Sequence, residues 1–325
     1  MRVVITGGAG FLGRRLARAL LDRGTVAAAD GKQREIAEIV LLDVVQPQRY
    51  DDPRVRTVTG DIANPSVLHE TIDATTSSIF HLAAIVSGMA EADFDLGLRI
   101  NVDATRHLLE VCRANHNRPR VVFTSSIAVY GGELPPIPRE ETALNPQTSY
   151  GIQKAIGELL LTDYTRKGFV DGRALRLPTI VVRPGKPNRA ASSFASGIIR
   201  EPLSGVEAVC PVAPATRLWL QSPRAVVANF IVGHEAPPEK LPAFRAINVP
   251  GIDVTVAEMV AALRSVAGDA VADRVQWQYD PVIDRIVATW PARFEARIGR
   301  ALGMRADAGF QDVVRAYIEQ DMPPL

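Results

Sequence analysis

Apolar and polar positions follow two periods along the first half of the chain. Residues 1–6 (MRVVIT) form a short apolar run of the kind that makes a buried strand. A glycine cluster follows. Leu12, Leu16, Ala19 and Leu20 then recur at helical spacing until Gly24. Further strands are predicted at 38–45 (EIVLLDVV), 54–59, 78–84, 120–125 and 173–182. Helical periodicity over 94–115 and 149–166 separates the later ones. Residues 25–37 read as a surface excursion, long for a connection of this kind. Strands that alternate with helices predict parallel βαβ units and an α/β, doubly wound sheet over residues 1–184. After Pro184 the texture turns proline-rich, with helices expected at 192–199, 256–267 and 310–319. Residues 185–325 are expected to form mainly a smaller substrate-binding lobe, with some segments returning to the first domain.

Composition narrows the class. Lys plus Arg number 37 and Asp plus Glu 36, a formal net charge of +1. That balance, without a basic run, gives no pull towards nucleic acid or anionic lipid. No apolar stretch is long enough to span a bilayer, and no charged lead-in precedes the first strand. A cytoplasmic protein without a membrane partner is the expectation. Cys112 and Cys210 lack metal-ligand spacing and read as buried thiols. His69, His107, His116 and His234 form no cluster, so no metal site is expected. His81 falls inside a predicted strand and reads as structural. Trp277, Tyr279 and Trp290 read as packing aromatics.

Three constellations carry chemistry. The first is Gly7-Gly8-Ala9-Gly10-Phe11-Leu12-Gly13, a glycine turn between strand and helix. Glycines let the backbone approach a pyrophosphate, and the helix start offers unpaired N–H groups. The second is Asp43, at the end of the 38–45 strand, placed to accept the hydroxyls of an adenosine ribose. Its charge would repel a 2′-phosphate, which favours NAD over NADP. Asp30 is the competing candidate. Asp61 with Ile62, after the third strand, reads as an adenine contact. The third constellation is Tyr150 and Lys154, four residues apart and so on one helical face. An ammonium beside a phenol lowers the phenol's pKa and makes it a usable base. Ser125 and Ser126 end the fifth strand, where a hydroxyl can hold a reacting oxygen.

Together GGAGFLG (7–13), GDI (60–62), HLAA (81–84), Asn101, TSSIAVYG (124–131) and YGIQK (150–154) resemble the extended short-chain dehydrogenase/reductase superfamily, in its order. The resemblance implies a Rossmann sheet and a catalytic triad of Ser126, Tyr150 and Lys154. It implies cofactor contacts at Gly7, Gly10, Phe11, Leu12, Gly13, Asp43, Asp61, Ile62, Leu82, Ala83, Ala84, Asn101, Ser125, Tyr150, Lys154, Pro178 and Thr179. It also implies a homodimer built on helices 94–115 and 149–166.

The second half departs from the nucleotide-sugar members. Thr179 stands where many of them carry asparagine, and their tyrosine-glycine-proline element is missing. RLPTIVVRPGKPNRAASSFASGIIREPLSG and TRLWLQSPRAVV instead resemble NAD-dependent dehydrogenases that oxidise the C2 hydroxyl of a four-carbon sugar acid. Leu220 departs from that pattern, in which a histidine follows Trp219. Such a substrate needs a carboxylate partner and hydroxyl partners. Ser87, Ser126, Tyr150, Lys186, Asn188, Ser192 and Arg217 are the candidates, with Arg217 the first choice for the carboxylate. The rival readings are a nucleotide-sugar epimerase or dehydratase and a dinucleotide-sensing regulator.

Overall fold

The computed structural model describes residues 1–185, 192–288 and 290–322. Its strands are β1 (Arg2–Thr6), β2 (Thr25–Ala27), β3 (Gln33–Glu35), β4 (Glu38–Asp43), β5 (Val55–Thr59), β6 (Thr76–His81), β7 (Arg120–Ser126), β8 (Asp171–Leu177), β9 (Thr179–Ile180), β10 (Ala208–Cys210), β11 (Arg217–Gln221), β12 (Ala246–Asn248), β13 (Ile252–Thr255) and β14 (Val275–Trp277). Seven of them form one parallel sheet in the order β5-β4-β1-β6-β7-β8-β12.

Side chains alternate across this sheet as the pleat requires. Val3, Ile5, Ile39 and Leu41 pack with Leu16 and Leu20 of the helix Phe11–Arg23 on one face. Val4, Val40 and Leu42 pack with Leu108, Leu109 and Leu161 on the other. Burial on both faces explains why β1 and β4 are continuous apolar runs. The chain leaves β1 towards β4 and β5, then returns to lay β6 on the opposite side of β1. That reversal opens a crevice at the carboxyl ends of β1 and β6, where open α/β sheets bind ligands.

Several expectations need correction. Residues 25–37 are not a plain surface excursion: β2 and β3 pair as a hairpin, with Val26, Ala27 and Ile36 buried. The helix expected over 94–115 is interrupted. Phe94–Gly97 leads into a wider π-helical stretch, Leu98–Asp103, before the α-helix Ala104–Asn115. The strand expected over 173–182 splits at Pro178, which has no N–H for a ladder. Beyond it β9 joins a separate sheet, β13-β11-β9. The helices Pro65–Thr71, Ser87–Ala92 and Pro223–Glu235 carry no clear period-3.6 signal in the sequence. Trp277 and Tyr279 are exposed, whereas Trp290 packs against a second core.

That second core gathers Val181, Val182, Ile198, Leu218, Met259, Leu263 and Val314. Leu220 is fully buried within it, so its side chain packs. The helix Pro223–Glu235 and β12 return to the large sheet. Among the described residues, no helix is long and apolar enough to cross a membrane, and no group of acidic, histidine and cysteine side chains could hold a metal ion.

Candidate active site

The glycine turn lies where the crevice opens. Gly7 has φ +73°, and a Cβ there would come within 2.8 Å of the Ala83 nitrogen. The turn and the strand end after β6 therefore touch backbone to backbone. Leu82 N donates to Thr6 O at 3.1 Å, and Ala83 N donates to the Thr6 hydroxyl at 3.2 Å. Gly10 caps the helix Phe11–Arg23 without a side-chain bond, and its first turn holds no acidic residue. Those N–H groups suit an anion such as a dinucleotide's pyrophosphate.

Asp43 ends β4 beside this turn, and its carboxylate accepts from Ala9 N at 2.9 Å and Val45 N at 3.1 Å. Asp30 sits instead on the exposed β2–β3 hairpin, paired with Arg34 at 2.8 Å. Of the two, Asp43 is the one placed at the crevice. Asp61 follows β5 and pairs with Arg99 at 2.5 Å, with Ile62 buried behind it. Asn101 lies in the π-helical stretch. Its carboxamide bonds Ile85 N and O and the Gln153 side chain. It therefore fixes the loop that contains Leu82, Ala83 and Ala84.

Tyr150 and Lys154 sit on the helix Ser149–Arg166, capped by the Thr148 hydroxyl accepting from Gly151 N at 3.1 Å. Gly151 lets this helix start against the 3-10 turn after β7, where a Cβ would collide with the Ala128 carbonyl oxygen. Gly157 does the same one face further on, with Phe123 at 2.5 Å from its missing Cβ. This close docking sets the Tyr150 hydroxyl near that of Ser126, which favours the phenolate. The Ser126 oxygen also accepts from Ala128 N at 3.1 Å. Lys154 Nζ lies 4.8 Å from the Phe123 ring centre and 5.6 Å from that of Tyr150.

The electrostatics differ from the sequence expectation in one respect. Burial raises the Tyr150 pKa, and the Arg183 guanidinium and the Ser126 hydrogen bond oppose that rise. Lys154 is itself pushed down to about 7 by burial, with Glu158 pulling it back up. Arg183, a residue the motif reading missed, adds its charge to the field at the Tyr150 hydroxyl. Its signal was a lone arginine in the apolar run TIVVRPG. His81, behind the triad, bonds Thr6 and Thr105 at 2.7 and 3.0 Å. Burial, with Lys154 adding to it, holds its pKa down at about 3. It is a neutral structural imidazole.

Behind Ser126 lies a buried ion pair that the sequence reading also missed. Glu158 and Arg176 are both fully enclosed and joined by two bonds, 2.9 and 2.8 Å. Glu158 also accepts from the Ser125 hydroxyl at 2.5 Å, so Ser125 faces this pair. Arg176 further donates to the Tyr130 hydroxyl and to Glu140 O. A carboxylate four residues beyond Lys154, on the same face, was the available signal.

A cavity of about 200 Å³ adjoins the crevice, lined by Phe11, Val86, Arg183, Pro184, Ser192, Ser193, Ser196 and Arg200. Of the substrate candidates it contains Ser192, and exposed Ser87 follows the lining residue Val86. Arg217 is not among its walls: it pairs with Asp253 at 2.8 Å on the exposed end of β11. Lys186 and Asn188 lie outside the described residues. Pro178 is buried where β8 gives way to β9, and Thr179 is half-buried in β9.

A parallel sheet with a glycine turn at its reversal and a serine–tyrosine–lysine set at its carboxyl edge defines a dinucleotide-dependent enzyme acting on a hydroxyl-bearing carbon. The NAD dependent epimerase/dehydratase family matches residues 3–219, and the chain belongs to that family. A D-erythronate dehydrogenase of Cupriavidus necator is 63% identical over 98% of both chains. A D-erythronate dehydrogenase of Haemophilus influenzae is 50% identical over 99% of this chain and 100% of its own. In structure the chain is similar to a protein named nucleoside-diphosphate-sugar epimerase from Agrobacterium tumefaciens, at TM-score 0.93 and 43% identity, covering 99% of this chain and 94% of that one. L-threonine 3-dehydrogenase from Trypanosoma brucei superposes at TM-score 0.83 and 26% identity, covering 100% and 99%. The chain is an NAD-dependent oxidoreductase of the extended short-chain type.

Proposed function

We propose that this enzyme oxidises the C2 hydroxyl of D-erythronate to the 2-oxo acid. The full-length identity with two D-erythronate dehydrogenases carries the reading. The expected division of labour gives residues 1–184 the cofactor and triad, and residues 185–325 mainly the substrate. NAD, when bound, supplies the acceptor for the hydride that leaves C2. The uncapped N-terminus at Gly10 and Phe11 would hold its pyrophosphate, and Asp43 its ribose. Tyr150 takes the proton of the C2 hydroxyl as base. Ser126, beside the Tyr150 hydroxyl, donates to the same oxygen as it becomes a carbonyl. Lys154 lies beside the Tyr150 ring, where its protonated form favours the phenolate.

The similarity to the Agrobacterium protein supports a second reading, an epimerase of a nucleotide-linked sugar. Thr179 argues against it. An epimerase returns its hydride and leaves free NAD unchanged, so net NADH formation from D-erythronate decides between the two. The protein is further proposed to be a cytoplasmic homodimer. Met89, Phe94, Ile152 and Leu159 are exposed on and beside the helix pair expected to meet its copy. Sedimentation at twice the chain mass is the expected result.

A further inference from the structure

Oxidation at C2 places a tight demand on the site. The carboxylate of a 2-hydroxy acid is bonded to the carbon that loses the hydride. Its partner must therefore lie beside the Tyr150 hydroxyl. Arg217, the choice from sequence, lies outside the adjoining cavity and already holds Asp253. We propose that Arg183 is the residue that binds the substrate's carboxylate, with the cavity of Arg183, Ser192 and Ser196 as the carboxylate subsite. This inference rests on the dehydrogenase reading above and names the group that makes the site selective for an acid.

Three observations support it. Arg183 is a half-buried cation facing Tyr150, and among the described residues no carboxylate contributes to its charge environment. A desolvated cation without a counterion is costly, so a bound anion completes it. Arg183 is also held ready. Its N–H donates to the Ser196 hydroxyl at 3.0 Å, and its carbonyl accepts from Arg200 Nη1 at 2.7 Å. Its Nε donates to Ile180 O at 3.1 Å. Backbone and side chain are thus anchored at three points, which limits the freedom lost on binding. Arg200, the other arginine of the wall, is neutralised by Glu201 at 2.5 Å. Finally, the cavity runs from Phe11 and Val86, on the cofactor side, to the start of the helix Ser193–Leu203. It therefore joins the cofactor side of the crevice to the arginine.

The test compares D-erythronate with its neutral amide in Arg183→Gln, Arg183→Lys and Arg217→Gln. Loss of a desolvated charge-assisted contact is expected to weaken kcat/KM for the acid about 100-fold or more. Activity on the amide changes much less, so the preference of acid over amide collapses in Arg183→Gln. Arg183→Lys keeps the charge but loses the fork, and recovers part of the preference. It carries the same test if the glutamine variant does not fold. Arg217→Gln keeps the wild-type preference. NAD affinity, read by fluorescence of the bound dinucleotide, stays within about two-fold in every variant. An intact preference in Arg183→Gln would overturn the assignment. So would weakened NAD binding with the preference unchanged, which would place Arg183 on the dinucleotide. Wild-type enzyme inert on every acid would overturn the functional reading as well, and that result is visible before any variant is made.

Discussion

Replacing Glu158 by glutamine keeps the shape of the site and removes one charge. Glu158 and Arg176 are both 0% exposed, so solvent cannot compensate the guanidinium that is left behind. Glu158 accepts three hydrogen bonds, two from Arg176 and one from Ser125. A glutamine amide offers one oxygen and turns an N–H donor towards other donors. Breaking a buried pair by removing one partner costs about 3–5 kcal/mol. Arg176 retains the Tyr130 hydroxyl and Glu140 O, and lies 4.9 Å from the Tyr130 ring centre. That residual support places Glu158→Gln at the lower end, about 3 kcal/mol. Urea unfolding followed by circular dichroism measures it as a fall in the midpoint with little change in slope. Adding Arg176→Met removes the orphaned charge. The double variant should be more stable than the sum of the two single losses by about 1–3 kcal/mol. A loss below about 1 kcal/mol for Glu158→Gln, or strict additivity in the double variant, would refute the reasoning.

Other outcomes follow from the same geometry. Tyr150→Phe removes the base and is expected to lower kcat at least about 1,000-fold with NAD affinity retained; Ser126→Ala is expected to lower it about 100-fold. Equal loss of NAD binding would show that both act only as structural supports. Asp43→Asn removes the charge that opposes a 2′-phosphate, so the ratio of kcat/KM for NAD over NADP should fall about ten-fold or more; an unchanged ratio would remove Asp43 from the ribose site. His81 gives a pH dependence. Its native pKa is about 3 and its ordinary value 6.5, so the unfolded chain binds the proton first. The stability it contributes is complete above pH 6.5 and is lost as the pH falls towards about 3. In His81→Asn the fall of unfolding free energy with acid should be shallower by about 1.4 kcal/mol per pH unit between those limits. Parallel curves for the two proteins would contradict a buried neutral imidazole.

Much of this architecture was legible because its signals are local. The apolar run of β1, the glycine turn and the periodicity of the first helix lie within one stretch of chain. Tyr150, Lys154 and Ser126 were legible for the same reason, each being set by spacing on one element. Asp43 could be favoured from sequence, but only packing separates it from Asp30, which the hairpin of β2 and β3 carries out to solvent. The π-helical stretch at Leu98–Asp103 was not legible, because one wider turn barely disturbs an apolar period. The partners of Glu158 and Arg183 were illegible for a different reason. They come from other strands and helices, so their meaning is tertiary. Arg217 shows the converse. Its residue type and its place near Trp219 suggested a carboxylate contact, and the fold gave it Asp253 instead.

The central claim is net oxidation of a small sugar acid by the Ser126–Tyr150–Lys154 site. The most direct measurement mixes purified enzyme, free NAD and D-erythronate and follows the absorbance of NADH. Sustained NADH formation over many turnovers, abolished in Tyr150→Phe, is the predicted result. No net NADH from D-erythronate, with turnover of a nucleotide-linked sugar at constant free NAD, would contradict it.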